Sequence, residues 1–333
     1  MSSIHDVAER AGVSIATVSH VINGTRKVSP ETTARVEKSI TAMKYRPNAI
    51  ARSLRTSAGK TIGMLVPDNA NPFFAETARG VEDFAFAAGY GVLLCNTDGS
   101  VEKEARYGDA LIENQVGGVI LITAGPTSDV VDDLLRRNIP VVVVDRELPR
   151  DDVDAVLPKH FDGAMAATKL LVQNGHELVA CIASDAGVLA AGERLRGFHR
   201  AIEDAGAEAI VVKGDLQYSG GYEAAKELLS ASRRPTAVFA CNDLMAIGAL
   251  RAAREAGLSV PGDLSVVGFD DIGPAKFTEP ALTTVAQPKH EIGAIAAELL
   301  LKRLDDPDLP VARLLVDTEL IIRESVGPME AAK

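Results

Sequence analysis

The chain has 333 residues, 47% of them apolar and 24% charged, which fits two or three globular domains, each able to bury a core. Its net charge of −11 excludes a uniformly basic nucleic-acid binder. No run approaches the roughly 18 apolar residues of a membrane span, and no secretory signal opens the sequence, so a cytoplasmic protein is expected.

The charge is divided unevenly. Residues 1–60 hold ten Lys/Arg and four Asp/Glu, a net +6 that leaves −17 for the rest. A basic head on an acidic body is the footprint of a local polyanion-binding module. Within the head, residues 4–23 read as two short helices broken at Gly12-Val13-Ser14. Ser14 is a good N-cap for the second. At about 100° per residue, Ile15, Val18, Val21 and Ile22 share one face of that helix, with Ala16, His20 and Asn23 opposite. A helix this short needs a partner, and its small, polar face is left to meet something else. An ordinary helical hairpin would show the same periodicity. A helix-turn-helix, whose second helix enters the DNA major groove, explains the polar face as well.

A third helix should start at Pro30 behind the Ser29 cap, with Ala34, Val36, Ile40 and Met43 closing a small core, and should end near Tyr45. Residues 48–55, NAIARSLR, offer little to build a core from. They read either as a basic linker or as a hinge that orders on DNA, with Leu54 as a wedge in the minor groove. Gly59-Lys60-Thr61 mimics the end of a phosphate-binding loop, but Leu54 stands where that loop needs glycine, and the tripeptide precedes its strand.

From Thr61 strands and helices alternate. IGMLVPD leads to a helix from about Phe73, YGVLLCN to one from about Glu102, VGGVILIT to one from about Asp129, then IPVVVVD and a strand at 153–158. The rhythm restarts with a helix at about 163–174, LVACIAS, a helix at 193–205, AIVVKGD, a helix at 220–230, TAVFACND, a helix at 243–256 and LSVVGFD. A helix near 289–304 and a strand LLVDTELII end the pattern and are expected to cross back between the two rounds. Continuous apolar strands between helices imply parallel sheets covered on both faces, hence two doubly wound α/β subdomains with a cleft between them. The expected division is 1–46 for the helix-turn-helix domain, 47–59 for the hinge, and 60–333 for the body. Within the body, about 60–159 with 289–318 form one subdomain and about 160–288 with 319–330 the other.

Cys95, Cys181 and Cys241 sit far apart in apolar runs and read as small buried residues of a reducing compartment. The six histidines are scattered. With no nucleophile elbow, metal spacing or dinucleotide fingerprint, neither an enzyme nor a cofactor or metal site is expected. In open α/β sheets ligands bind beyond the carboxyl ends of the strands. Those ends supply Asn71, Phe73, Phe74, Asp145, Arg146, Asn242, Asp243, Asp270, Asp271 and Gln287, with Arg194 opening a later helix. Paired Asp and Arg suit vicinal hydroxyls, and phenyl rings suit the C–H face of a sugar. Each Asp or Asn has a plainer reading as a helix cap.

DVAERAGVSIATVSHVIN, SPETTARV and YRPNAIARSL resemble the DNA-binding head and hinge of LacI/GalR-type transcriptional repressors. RPTAVFACNDLMAIGAL, VPGDLSVVGFDD and PALTTVAQP are similar to that family's periplasmic-binding-protein-like body. The resemblance covers essentially the whole chain. It implies a homodimer on a palindromic operator, with Ile15, Ala16 and His20 facing base edges. Ser14, Thr17, Ser19 and Asn23 stand beside them, and Leu54 and Arg55 lie in the minor groove. It also implies a small-molecule effector in the cleft. NPFF at 71–74, Asp145, Arg146, Arg194, Asn242, Asp270 and Gln287 are most similar to the set that holds ribose in ribose repressors and periplasmic ribose-binding proteins. Leu216 departs from that set, where an aromatic ring is expected. Purine repressors carry an aromatic residue in place of Arg146, which favours ribose or another pentose over a purine. The competing readings are a solute-binding protein without regulatory function, against which the basic head argues, and a two-domain enzyme.

Overall fold

The computed structural model describes residues 3–23, 26–45, 60–122, 129–184 and 189–329, the side chains of residues 23 and 189 excepted. The chain forms two compact units, Met1–Lys60 and Thr61–Lys333.

Among the described residues the first unit holds three helices: α1 (Ile4–Ala11), α2 (Ile15–Asn23) and α3 (Pro30–Met43). A capping box starts α1, with Ser3 and Asp6 each satisfying the other's backbone N–H. Gly12 ends it at φ +62°, a conformation that favours glycine and turns the chain sharply into α2. Ser14 Oγ accepts the Thr17 N–H at 3.1 Å, and Ser29 with Pro30 begins α3. Val7, Ala8, Ala11, Val18 and Val36 form the buried core. Val21, Ile22, Ile40 and Met43 pack against it.

The second unit holds two six-stranded sheets, ordered β11-β5-β4-β3-β1-β2 and β12-β10-β9-β8-β6-β7. The first takes β1 (Thr61–Val66), β2 (Gly91–Asn96), β3 (Val119–Leu121), β4 (Val141–Val144), β5 (Asp154–Pro158) and β11 (Arg313–Val316). It is parallel throughout. The second takes β6 (Leu178–Ala183), β7 (Glu208–Lys213), β8 (Ala237–Ala240), β9 (Ser265–Asp270), β10 (Thr283–Ala286) and β12 (Glu319–Ile321). Their helices are α4 (Pro72–Ala87), α5 (Val101–Glu113), α6 (Asp129–Arg136), α7 (His160–Gln173), α8 (Leu189–Ala205), α9 (Tyr218–Ser230), α10 (Asp243–Glu255) and α11 (Lys289–Asp305). Among the described residues no helix is long and apolar enough to cross a membrane.

Three sequence expectations are corrected. LLVDTELII is two strands: β11 pairs parallel with β5, then β12 pairs antiparallel with β10 in the other sheet. The second sheet is therefore not purely parallel. Helices α7, α8 and α9 start two to four residues earlier than the apolar pattern indicates, and Lys159 and Gln217 precede α7 and α9 without a side-chain cap to mark the start. Of the cysteines, Cys95 is half-buried, while Cys181 and Cys241 bring their sulfurs within 3.9 Å on neighbouring strands.

The chain passes between the sheets three times: after β5, between β10 and α11, and between β11 and β12. Helix α11 packs on α4, and glycines set the approach. A Cβ at Gly80 would strike the His290 carbonyl, and one at Gly293 the Thr77 carbonyl.

Candidate functional site

The exposed surface of α2 carries the head's candidate readers. Ile15 is 39% exposed and has left the apolar face that its periodicity indicates. Ser14 and Ala16 are exposed; Thr17 and His20 are half-buried. Ser19 is buried and belongs to the head's interior. The Asn23 side chain, Leu54 and Arg55 lie outside the described residues.

In the body, the carboxyl ends of both sheets surround a cavity of about 480 Å³. Asn71, Phe73, Phe74, Asp145, Arg146, Arg194, Leu216, Asn242 and Asp270 all line it. Gln287 does not. It lies behind Asp270 and donates to its Oδ1 from Nε2 at 2.7 Å. Pro67, Asp68, Asp98, Asp215 and Gln217 also line the wall and were not singled out from sequence. They follow strands in turn-like stretches, where Asp and Gln read as solvent-facing. Gln217 Nε2 donates to Asp68 Oδ2 at 3.0 Å, joining the loop after β7 to the loop after β1.

The plainer reading holds in part. Asn71 Oδ1 caps α4 through the Phe73 N–H, and Asn242 Oδ1 caps α10 through the Met245 N–H. Asn242 also donates from Nδ2 to the Leu216 carbonyl, which fixes the loop after β7. The residues therefore build the helix starts and the cavity wall together. Asp243 does not cap α10. It is buried, and its oxygens accept from the Ile272 N–H and the Thr284 hydroxyl.

At the floor, Arg194 is fully engaged. Nη1 donates to the Cys241 carbonyl at 2.5 Å, Nη2 lies 3.2 Å from Asp270 Oδ1, and its guanidinium stacks 4.0 Å above the Phe269 ring. Nε donates to His160 Nδ1 at 3.4 Å. His160 must then carry its proton on Nε2, which points at the Asp145 carbonyl 2.9 Å away.

Arg146 contrasts with Arg194. It is buried, yet its Nε and Nη1 have no hydrogen-bond partner, and neither does Asp145 Oδ1. Asp145 Oδ1 lies 3.2 Å from His160 Nε2, but that N–H is directed at the main-chain oxygen. Unmet buried donors beside an unmet acceptor cost free energy, and such sites are completed by a ligand or water.

Burial is the largest influence on both site carboxyls. In Asp145, His160, Arg194 and Arg146 together outweigh it and hold the group below the usual range. In Asp270 burial and the Asp145 charge prevail over Arg194, Gln287 and Lys289, and the group is pushed up to about 6. Burial also draws the Arg146 guanidinium down, against the pull of Asp145 and Glu104. Burial and Asp270 hold Asp243 well above the carboxylate range. Asp98, Asp145, Leu216 and Asp270 line the cavity at φ values of +52°, +69°, +66° and +113°. Concentrated backbone strain of this kind is typical of a pre-organised binding site.

A larger cavity of about 720 Å³ adjoins the other side of Asp145 and His160. Its cations are already paired: Arg150 with Asp132 and Asp152, Arg313 with Glu147, and Lys159 with Asp317. The smaller cavity, with its unmet atoms, is the stronger candidate site.

Comparison with known proteins agrees with both units. The profile of bacterial regulatory proteins of the lacI family matches residues 3–48, and that of the periplasmic binding protein-like domain matches residues 168–326. The HTH-type transcriptional repressor PurR of Edwardsiella ictaluri (strain 93-146) is 40% identical over 332 residues, 98% of this chain and 97% of that protein. The ribose operon repressor of Escherichia coli (strain K12) is 39% identical over 330 residues, 98% of this chain and 100% of that protein. The crystal structure of the Lac repressor dimer bound to operator and the anti-inducer ONPF superposes with a TM-score of 0.87 at 28% identity, covering 98% of this chain and 99% of that one. Over nearly its whole length, then, the chain belongs to the lacI family of bacterial regulatory proteins, the DNA-binding transcriptional repressors.

Proposed function

We propose that this repressor binds a palindromic operator as a homodimer, and that a small neutral sugar, ribose or a related pentose, sets its operator affinity from the cavity between the two sheets. The observation that carries the sugar reading is the unmet set at the floor: Arg146 Nε and Nη1 beside Asp145 Oδ1. A hydroxyl accepts from the first and donates to the second, and neighbouring hydroxyls on one ring do both at once. A relative of 39% identity named as a ribose operon repressor supports the reading. Ile15, Ala16, Thr17 and His20 would read bases, with Leu54 and Arg55 in the minor groove.

A purine is the second reading, favoured by relatives named PurR at up to 40% identity. Against it, a flat base gains most from open ring faces. Phe73 is 2% exposed and meets Phe74 edge-on, which leaves Phe74 as the only ring of that pair with surface to offer. Footprinting on a palindrome library with and without ribose tests the proposal. Protection of one palindrome that changes with ribose is expected. No selective protection in either condition would remove the regulatory reading.

A further inference from the structure

We propose that Lys289, two residues beyond Gln287, is a positioning residue of the effector site, holding Asp270 in the left-handed backbone conformation from which its carboxylate faces the cavity. The inference rests on the small-molecule reading of that cavity. Neither residue lies on the cavity wall. Both converge on Asp270 from behind. Gln287 Nε2 holds Oδ1 at 2.7 Å, while Lys289 Nζ donates to the carbonyls of Asp270 at 2.9 Å and Asp271 at 2.7 Å.

The turn they grip is strained. Asp270 and Asp271 have φ of +113° and +50°, and a non-glycine residue stays there only when its surroundings over-determine it. Arg323 adds a third hold, donating to Asp271 Oδ1 and to the Leu282 carbonyl. Lys289 is itself 7% exposed, and a buried ammonium is costly. The nearest carboxylate oxygen is Glu76 Oε2, 3.9 Å away and half-exposed, so a simple ion pair does not account for the position. Two carbonyl bonds to the strained turn do.

The placement also joins the two sheets. Gln287 and Lys289 flank Pro288 where the chain passes from β10 into α11. Glu76 lies on α4, whose N-cap Asn71 lines the cavity from the first sheet, while Asp270 lines it from the second. The groups facing the Asp270 carboxyl are Arg194 from α8, Asp145 from the end of β4, Asp243 from α10, and Gln287 and Lys289 from the passage; Asp271 and Arg323 flank the turn.

The test is calorimetric titration of the full chain with D-ribose from pH 5 to 8, for wild type, Lys289→Met and Lys289→Arg. Lys289→Met should weaken ribose binding roughly 10–100-fold, the range that released backbone strain commands. It should also move the Asp270 titration in the binding profile to higher pH, since a neighbouring cation is gone. Lys289→Arg should restore most of the affinity. Unchanged affinity and pH profile in Lys289→Met would overturn the proposal. So would a loss without the pH shift and without rescue by arginine, which would mark a merely structural role. If Lys289→Met does not fold, Lys289→Gln removes the charge while keeping a polar side chain and carries the same expectation for affinity and pH profile. If wild type takes no ribose, the sugar reading fails, and the pH dependence of melting decides the positioning claim. There the Asp270-dependent slope should move to higher pH in Lys289→Met, and an unmoved slope would overturn it.

Discussion

Arg146 and Arg194 are the two guanidinium groups on the cavity wall, and their surroundings separate their roles. Arg194 is spent on Cys241, Asp270, His160 and Phe269, so it fixes the floor; Arg146 keeps two N–H groups free. Arg146→Lys keeps the charge and loses the planar donors, so ribose affinity should fall at least about tenfold with melting little changed, read by calorimetry and thermal denaturation. Asp270 makes a prediction about pH. Its carboxyl stands at about 6 in the folded chain against an ordinary 3.8, so the folded state binds the proton more tightly. The stability this contributes is complete below about pH 3.8 and is lost as pH rises through about 6. Asp270→Asn should therefore lose less stability than wild type between pH 4 and pH 7, by an amount on the order of 3 kcal/mol. Parallel slopes in urea melts of the two proteins would refute it. His20→Ala should relax base preference at one operator position at a cost of roughly 1–3 kcal/mol, whereas uniform weakening would make His20 a phosphate contact.

At the scale of elements, most of the architecture and much of the cavity were legible. Strand ends betray themselves because a parallel apolar run stops at its first polar residue, and that residue opens toward the ligand. Asp145, Asn242 and Asp270 follow that rule; after β1 the first polar residue is Asp68, and Asn71 comes three residues later. Lys289 was not legible: a lysine at a helix start reads as a solvated face, and only the fold brings it to the Asp270 and Asp271 carbonyls. The division of LLVDTELII was hidden for a related reason. Asp317 and Thr318 break the run, but nothing local says that the two halves join different sheets. The α4–α11 contact is a further test at this scale. Gly293→Ala drives a methyl into the Thr77 carbonyl, so the helices must part. A destabilisation of about 1–3 kcal/mol is expected, together with weaker ribose binding, because α4 starts at Asn71, Phe73 and Phe74 on the cavity wall. A drop in melting temperature with unchanged affinity would separate the contact from the site.

At the scale of the molecule, charge and cavity divide the work. A head at +6 attached to a body at −17 should confine DNA contact to the head, since an acidic body repels the phosphate backbone. Operator affinity should fall steeply with salt, with a log–log slope of about −0.9 per phosphate neutralised. The body's part is to bind a small molecule, proposed above to be a pentose. A thermal-shift panel of pentoses, hexoses and purine bases on the full chain tests it most directly, since a ligand at 100 times its Kd adds about 2.7 kcal/mol. Ribose or another pentose should raise the melting temperature, and purine bases should not. A shift from a purine base with none from any sugar would contradict it.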